Sequence, residues 1–195
     1  LLENLRFHAE EEANDPEFAK QLASLADVYV MDAFGTAHRA HASTAGVAAY
    51  LPAVAGLLME KEIAFLGGAL ANPARPFVAI MGGSKVSDKV KVVENLLTKV
   101  DTLLIGGGMA NAFLVASGRS VGASKVVDGD PAHAEKALKL AEERGVQVLL
   151  PSDAVAAETF AADANHAVVP VSDVPAAWML LDIGPETRER YAQVV

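Results

Sequence analysis

The sequence predicts an α/β fold in which parallel sheets are covered by helices. Two observations carry that expectation. Short, wholly apolar runs alternate with longer segments whose apolar residues recur every three or four positions, and two of those runs end directly in glycine clusters. Buried parallel strands joined by crossover helices produce the first pattern. The second is the turn a strand makes into a following helix. Of the 195 residues, 52% are hydrophobic and 21% charged. A chain of this size buries about 70% of its unfolded surface, and the composition excludes disorder.

The elements follow in order. Asp15-Pro16 opens a helix, with Asp as cap and Pro in the first turn, and Phe18, Leu22 and Leu25 form its apolar stripe. Val28–Met31 is a strand closed by Asp32. Residues 33–46, rich in Gly, Ala, His and Ser, form a polar connection of the kind that carries function. A helix is expected over 57–70, stopped by Asn72-Pro73-Ala74-Arg75-Pro76, and Phe77–Met81 is the next strand. Val90, Val93, Leu97 and Val100 share one face of a helix expected over 87–100. Leu103–Ile105 reads as a strand, Met109–Ser117 and Pro131–Arg144 as helices, the latter ended by Gly145, and Val146–Leu150 as a further strand. The domain boundary falls near the helix at 57–70.

The formal net charge is −9, and no Lys/Arg run offers nucleic acid an extended phosphate footprint. Gly, Pro or charge interrupts every apolar stretch well short of the ~20 residues of a membrane helix. The chain has no Cys, so it has no disulfide framework, thiolate nucleophile or Cys-based zinc site, and the composition suits the cytoplasm. It begins at Leu1 without an initiator Met and ends at Val195 within what reads as a helix. Both ends look cut, and a piece of a longer chain is expected.

Chemistry is expected at three stretches. Gly82-Gly83-Ser84-Lys85 and Gly106-Gly107-Gly108-Met109 follow strands, where backbone N–H groups and helix starts favour an anion. Neither is a P-loop, and the dinucleotide fingerprint fails because Asn111 stands in place of its last glycine, which disfavours a dehydrogenase-like protein. Lys85 and Lys89, four residues apart at an expected helix start, point the same way and suit a polyphosphate. The third stretch is Asp32–His41. No carboxylate or Cys completes a metal set with His38 and His41, whereas Arg39 presents a planar fork to phosphate or carboxylate.

These strings resemble phosphoglycerate kinases. The resemblance rests on Leu2–Phe7 (LENLRF), Asp32–Ser43 (DAFGTAHRAHAS), Leu51–Gly56 with Met59–Glu62, Gly82–Lys89, Gly106–Met109 and Trp178–Pro185, in the family's order and spacing. It implies reversible phosphoryl transfer between ATP and the carboxylate of 3-phosphoglycerate, giving ADP and 1,3-bisphosphoglycerate, with Mg²⁺ carried on the nucleotide. It also implies two Rossmann-like parallel-sheet domains joined by a hinge helix, both incomplete here. Residues 1–56 would end the substrate domain, 57–70 would be the hinge and 71–195 would begin the nucleotide domain.

By the same resemblance, Arg6, His38 and Arg39 would bind the phosphoglycerate, and Lys85 with Arg39 would act in catalysis. Gly83, Lys85, Lys89, Gly106, Gly107, Gly108, Leu180 and Leu181 would bind the nucleotide, although Leu180 stands at a position that is small in many relatives. A cytoplasmic monomer with no nucleic-acid or membrane partner is implied. The family's Asp-x-Asn turn, His-Leu-Gly-Arg loop, Trp-Asn-Gly-Pro segment and Gly-Gly-Gly-Asp turn are absent from these residues. Each sheet would therefore lack strands, and the stretch by itself would be inactive. The competing reading is a non-catalytic adenine-nucleotide-binding α/β module.

Overall fold

The computed structural model describes residues 1–195, and its internal contacts divide the chain into Leu1–Pro73 and Ala74–Val195. In the first unit, α1 (Ala9–Glu12) and α2 (Pro16–Ala23) precede β1 (Tyr29–Met31), β2 (Ala53–Ala55) and α3 (Leu57–Ala71). The Asp15 side chain accepts the Phe18 N–H at 2.8 Å, so the cap read from the sequence forms. α2 buries Ala19 and Ala23, while Leu25 at the end of its expected stripe is exposed. β1 and β2 pair in parallel, Tyr29 opposite Ala53. β2 has no apolar run long enough to stand out in the sequence.

Asp32 does more than close β1. Its carboxylate accepts the N–H groups of Leu58 at 2.7 Å and Met59 at 3.1 Å, capping α3 from 26 residues away. Gly56 permits this approach, since a Cβ there would lie 2.4 Å from Asp32 Oδ1.

In the second unit, β3 (Val78–Met81), α4 (Val90–Leu96), β4 (Thr102–Ile105), α5 (Met109–Ala116), α6 (Asp130–Arg144) and β5 (Gln147–Leu149) build a parallel sheet of order β3-β4-β5. β4 is buried at every residue. Its Leu103 and Ile105 join Leu97, Met109 and Phe113 in the main core. Gly145 ends α6 in the left-handed conformation, φ +68°.

Three findings go beyond the alternating pattern. β6 (Asp153–Ala157), β7 (His166–Pro170) and β8 (Met179–Ile183) form a second sheet, antiparallel, of order β7-β6-β8. The link from β6 to β7 is too short for the dozen or more residues of a parallel crossover. The helix expected over 87–100 is broken: Ser87–Lys89 is a 3₁₀ turn and α4 covers only Val90–Leu96. Lys85 precedes both, so it and Lys89 do not share a helical face. Finally, α7 (Pro185–Ala192) ends at Ala192, before the last residues of the chain.

Candidate functional site

β3 and β4 are hydrogen-bonded neighbours, with Met81 opposite Ile105, so their glycine turns lie side by side. The turns interlock through backbone alone. Gly106 N–H donates to the Met81 carbonyl at 2.8 Å, and Met109 N–H to the Gly83 carbonyl at 2.7 Å. Gly107 has φ +64°, and a Cβ there would meet Gly83 N at 3.2 Å. Gly83 has φ +155°, and a Cβ on it would touch Lys89 Cε at 3.0 Å, which places the lysine stem across the glycine.

The turn bearing Lys85 and Lys89 is pinned by Asp130 at the start of α6. Asp130 is buried and accepts the N–H of Val86 at 2.8 Å and of Ser87 at 3.0 Å. Burial alone would raise its pKa. The amide and hydroxyl hydrogen bonds from Val86 and Ser87 outweigh burial and hold the carboxyl below the ordinary aspartate value.

An open cleft of about 360 Å³ lies over this turn, bounded by Ser84, Lys85, Gly108, Asn111, Ser124, Lys125, Val127, Phe160 and Met179–Leu181. A smaller recess beside it is bounded by Gly107, Gly108, Pro151, Ala154 and Leu180–Ile183. Of the residues singled out in the sequence, the structure brings Lys85, Gly107, Gly108, Leu180 and Leu181 to these two adjoining spaces. Gly83, Lys89 and Gly106 sit in the turns beneath. Lys85, Lys89 and Lys125 have no carboxylate partner within ion-pair distance. The cleft is thus lined both by free cations, Lys85 and Lys125, and by Val127, Met179, Leu180 and Leu181, a combination suited to a ligand with an anionic and an apolar part.

Several contributors were not singled out. Asn111, noticed only for spoiling a fingerprint, is buried in α5 and its Nδ2 donates to the Lys125 carbonyl at 3.4 Å. Its signal was available: a lone amide inside the apolar segment Met109–Ala116. Ser124 accepts the Leu180 N–H at 2.8 Å and so fastens β8 beside the cleft. Lys125 and Phe160 carried no distinguishing pattern.

In the first unit, Arg6 lies in a single 3₁₀ turn, Leu5–Phe7, opened by Asn4, whose side chain accepts the Arg6 N–H at 3.1 Å. Arg6, His38 and Arg39 are exposed. His41 is instead buried, 3.9 Å from Glu11, so the two histidines occupy different surroundings. No group of three or more His, Asp or Glu gathers anywhere to hold a metal ion.

The comparisons with known proteins agree with one another. A family model described as phosphoglycerate kinase matches residues 1–195. The phosphoglycerate kinase of Moorella thermoacetica is 66% identical over 192 residues, covering 98% of this chain and 49% of that protein. That of Herpetosiphon aurantiacus is 60% identical over 195 residues, covering 100% and 50% respectively. Among solved structures, phosphoglycerate kinase from Coxiella burnetii superimposes with TM-score 0.84 at 46% identity, covering 98% of this chain and 49% of that one. The enzyme from Pyrococcus horikoshii gives 0.82 at 32% identity, covering 98% and 50%. The chain thus spans about half the length of the relatives it matches.

Proposed function

Because the chain belongs to the phosphoglycerate kinase family, we propose that it is the part of such a kinase that holds the nucleotide phosphates and contributes side chains to the phosphoglycerate. The reaction is reversible: a carboxylate oxygen of 3-phosphoglycerate attacks the terminal phosphorus of ATP, forming an acyl phosphate as the bond to ADP breaks. Such a transfer asks little covalent chemistry of the protein. It asks for in-line placement and for cations where charge spreads over the phosphoryl oxygens.

The interlocked turns at Gly83 and Gly107, with unpaired lysines at their rim, are the observation that carries this reading. Lys85, exposed at the cleft, neutralises the transferring phosphoryl group, and Lys89, lying across Gly83, holds the remaining phosphates. Gly106, Gly107 and Gly108 let the nucleotide approach the backbone. Leu180 and Leu181 pack on the base, the larger Leu180 narrowing its slot. Arg39 and Arg6, without ion-pair partners of their own, take the phosphate and carboxylate of the second substrate, with His38 beside them. Arg39 also offsets charge as the acyl phosphate forms.

Family membership implies a Mg²⁺ that would arrive on the nucleotide, and Mg²⁺ commonly keeps phosphate and water ligands. When bound it supplies charge neutralisation between the phosphates. A relative from Nicotiana tabacum, 59% identical over 196 residues, is named a cytosolic phosphoglycerate kinase. No helix here is long and apolar enough to cross a membrane. The name of that relative supports a cytoplasmic enzyme, which we take to act as a monomer on the family resemblance.

A coupled assay of the full-length protein with ATP and 3-phosphoglycerate tests the reading. Transfer that requires Lys85, with adenine-nucleotide affinity that requires Lys89, is the expected result. Nucleotide binding without transfer would reduce the protein to a binding module. A preference for NAD would overturn the assignment.

A further inference from the structure

The loop carrying His38 and Arg39 has little regular structure, only 3₁₀ turns at Phe34–Thr36 and Gly46–Ala49. Its middle is fixed by one buried side chain. Glu11 is only 2% exposed, although it stands between Glu10 and Glu12, both exposed. Its carboxylate accepts the Ser43 N–H at 2.9 Å and the Ser43 hydroxyl at 2.5 Å, and its backbone carbonyl accepts the Ala42 N–H at 2.9 Å. Buried His41 turns Nδ1 toward the same carboxylate at 3.9 Å, and that nitrogen has no other partner.

The connection runs on to Arg39. The Thr44 hydroxyl donates to the Arg39 carbonyl at 2.6 Å, and the Tyr29 hydroxyl on β1 donates to the Ser43 carbonyl at 2.9 Å. In the other direction, Glu11 N–H donates to the His8 carbonyl and His8 N–H to the Leu5 carbonyl. That ties Glu11 to the turn bearing Arg6. One buried residue thus holds both arginine-bearing segments, the Arg39 loop through its carboxylate and the Arg6 turn through its backbone N–H, although they lie more than thirty residues apart in sequence.

We propose that Glu11 is a positioning residue for the anionic substrate, an inference that rests on reading Arg6 and Arg39 as its ligands. Glu11 repels an anion and is itself covered, so it does not bind the substrate. It fixes the geometry in which two guanidinium groups meet it. Charge-assisted hydrogen bonds suit this task because they are short and directional. Removing the carboxylate leaves the two Ser43 donors without an acceptor, and the loop rearranges to satisfy them. Displacing a binding group by about 1 Å can cost a hundredfold.

The test uses the full-length protein. Glu11→Ala should raise KM for 3-phosphoglycerate roughly 10–100-fold and leave KM for ATP nearly unchanged. Glu11→Gln, which keeps an acceptor oxygen for Ser43, should recover most of the loss, and Ser43→Ala should give a smaller rise in the same constant. Amide hydrogen exchange across residues 39–44 should quicken in Glu11→Ala and be restored in Glu11→Gln. A folded Glu11→Ala protein with both constants unchanged overturns the proposal, as does one in which both rise together. If Glu11→Ala does not fold, unchanged KM values in both Glu11→Gln and Ser43→Ala overturn it. If the wild-type protein transfers no phosphoryl group, the functional reading falls separately. The exchange data then decide, and unaltered exchange at 39–44 overturns the positioning role.

Discussion

Asp130 and Val86 are 44 residues apart, yet the Asp130 carboxylate accepts the Val86 N–H at 2.8 Å in a fully buried bond and takes the Ser87 N–H beside it. The turn that presents Lys85 and Lys89 is therefore held by α6, on the far side of the sequence from the strand that delivers it. Asp130→Ala strands two backbone donors, each costing about 1–3 kcal/mol when buried without a partner. Urea denaturation should show a loss of that order, and KM for the nucleotide should rise while KM for 3-phosphoglycerate holds. Loss of stability with both constants unchanged would sever this aspartate from the lysine turn.

The same carboxylate sets an acid limit. Asp153 behaves alike: burial would raise its pKa, but the Thr187 hydroxyl and the N–H groups of Thr187 and Glu186 hold it low. For a carboxyl whose folded pKa is depressed, the stabilisation is complete above the unfolded value, about 4. It drains away as pH falls through the folded one. Thermal melts should accordingly be flat near neutrality and decline below about pH 4. Asp130→Asn and Asp153→Asn should each flatten that decline while lowering the plateau.

Gly107 and Gly145 allow a paired comparison. Both hold positive φ, +64° and +68°, so an alanine at either incurs the left-handed cost of about 1–2 kcal/mol. Only at Gly107 does the added carbon also meet backbone, 3.2 Å from Gly83 N, whereas space at Gly145 is open. Gly145→Ala should lower Tm modestly and leave nucleotide affinity intact. Gly107→Ala should lower both, because separating the turns moves Lys85 and Lys89. Equal effects of the two substitutions on nucleotide affinity would remove the interlock from the binding argument.

What the sequence disclosed and what it concealed divide along physical lines. Leu103–Ile105 was legible because a strand buried on both faces needs an unbroken apolar run, and Phe77–Met81 stood out by the same kind of run although its Ile80 is exposed. The glycines after them were legible because few other residues permit such turns. The antiparallel sheet was not: β6 is small and apolar, Asp-Ala-Val-Ala-Ala, and β7 is largely exposed, so neither periodicity declares itself. Glu11 and Asp130 were hidden for another reason. A glutamate within Glu10-Glu11-Glu12 reads as a solvated helix face, and its burial depends on Ser43, 32 residues later. Spacing exposes neighbours along an element, whereas these carboxylates act across the fold.

Lys85 and Lys89 should separate kinetically. Lys85 is exposed and unpaired, while Lys89 is half-buried along Gly83. Lys85→Ala should leave the melting curve unchanged and cut kcat by about 10²–10³-fold, the usual cost of deleting one transition-state charge stabiliser. Lys89→Ala should act chiefly on KM for the nucleotide. The reverse assignment in single-turnover measurements would exchange the two roles.

Tyr191 binds the carboxyl ends of two strands. Its hydroxyl donates to the carbonyls of Ile105 at 2.8 Å and Leu149 at 2.9 Å, stitching α7 to β4 and β5. Burial drives its pKa up to about 12, against the opposing charge of Arg190. A phenol whose folded pKa is raised stabilises the fold fully below its unfolded value, about 10, and loses that contribution as pH climbs through the folded one. Ultraviolet titration of the tyrosines should show a late-ionising step that Tyr191→Phe abolishes. The variant should also lose about 1–3 kcal/mol, because two carbonyls forfeit a donor and phenylalanine offers none. If the late step survives in Tyr191→Phe, its origin lies at another tyrosine. Tyr29 is then the one to replace, since burial, reinforced by the Glu11 charge, raises its pKa as well.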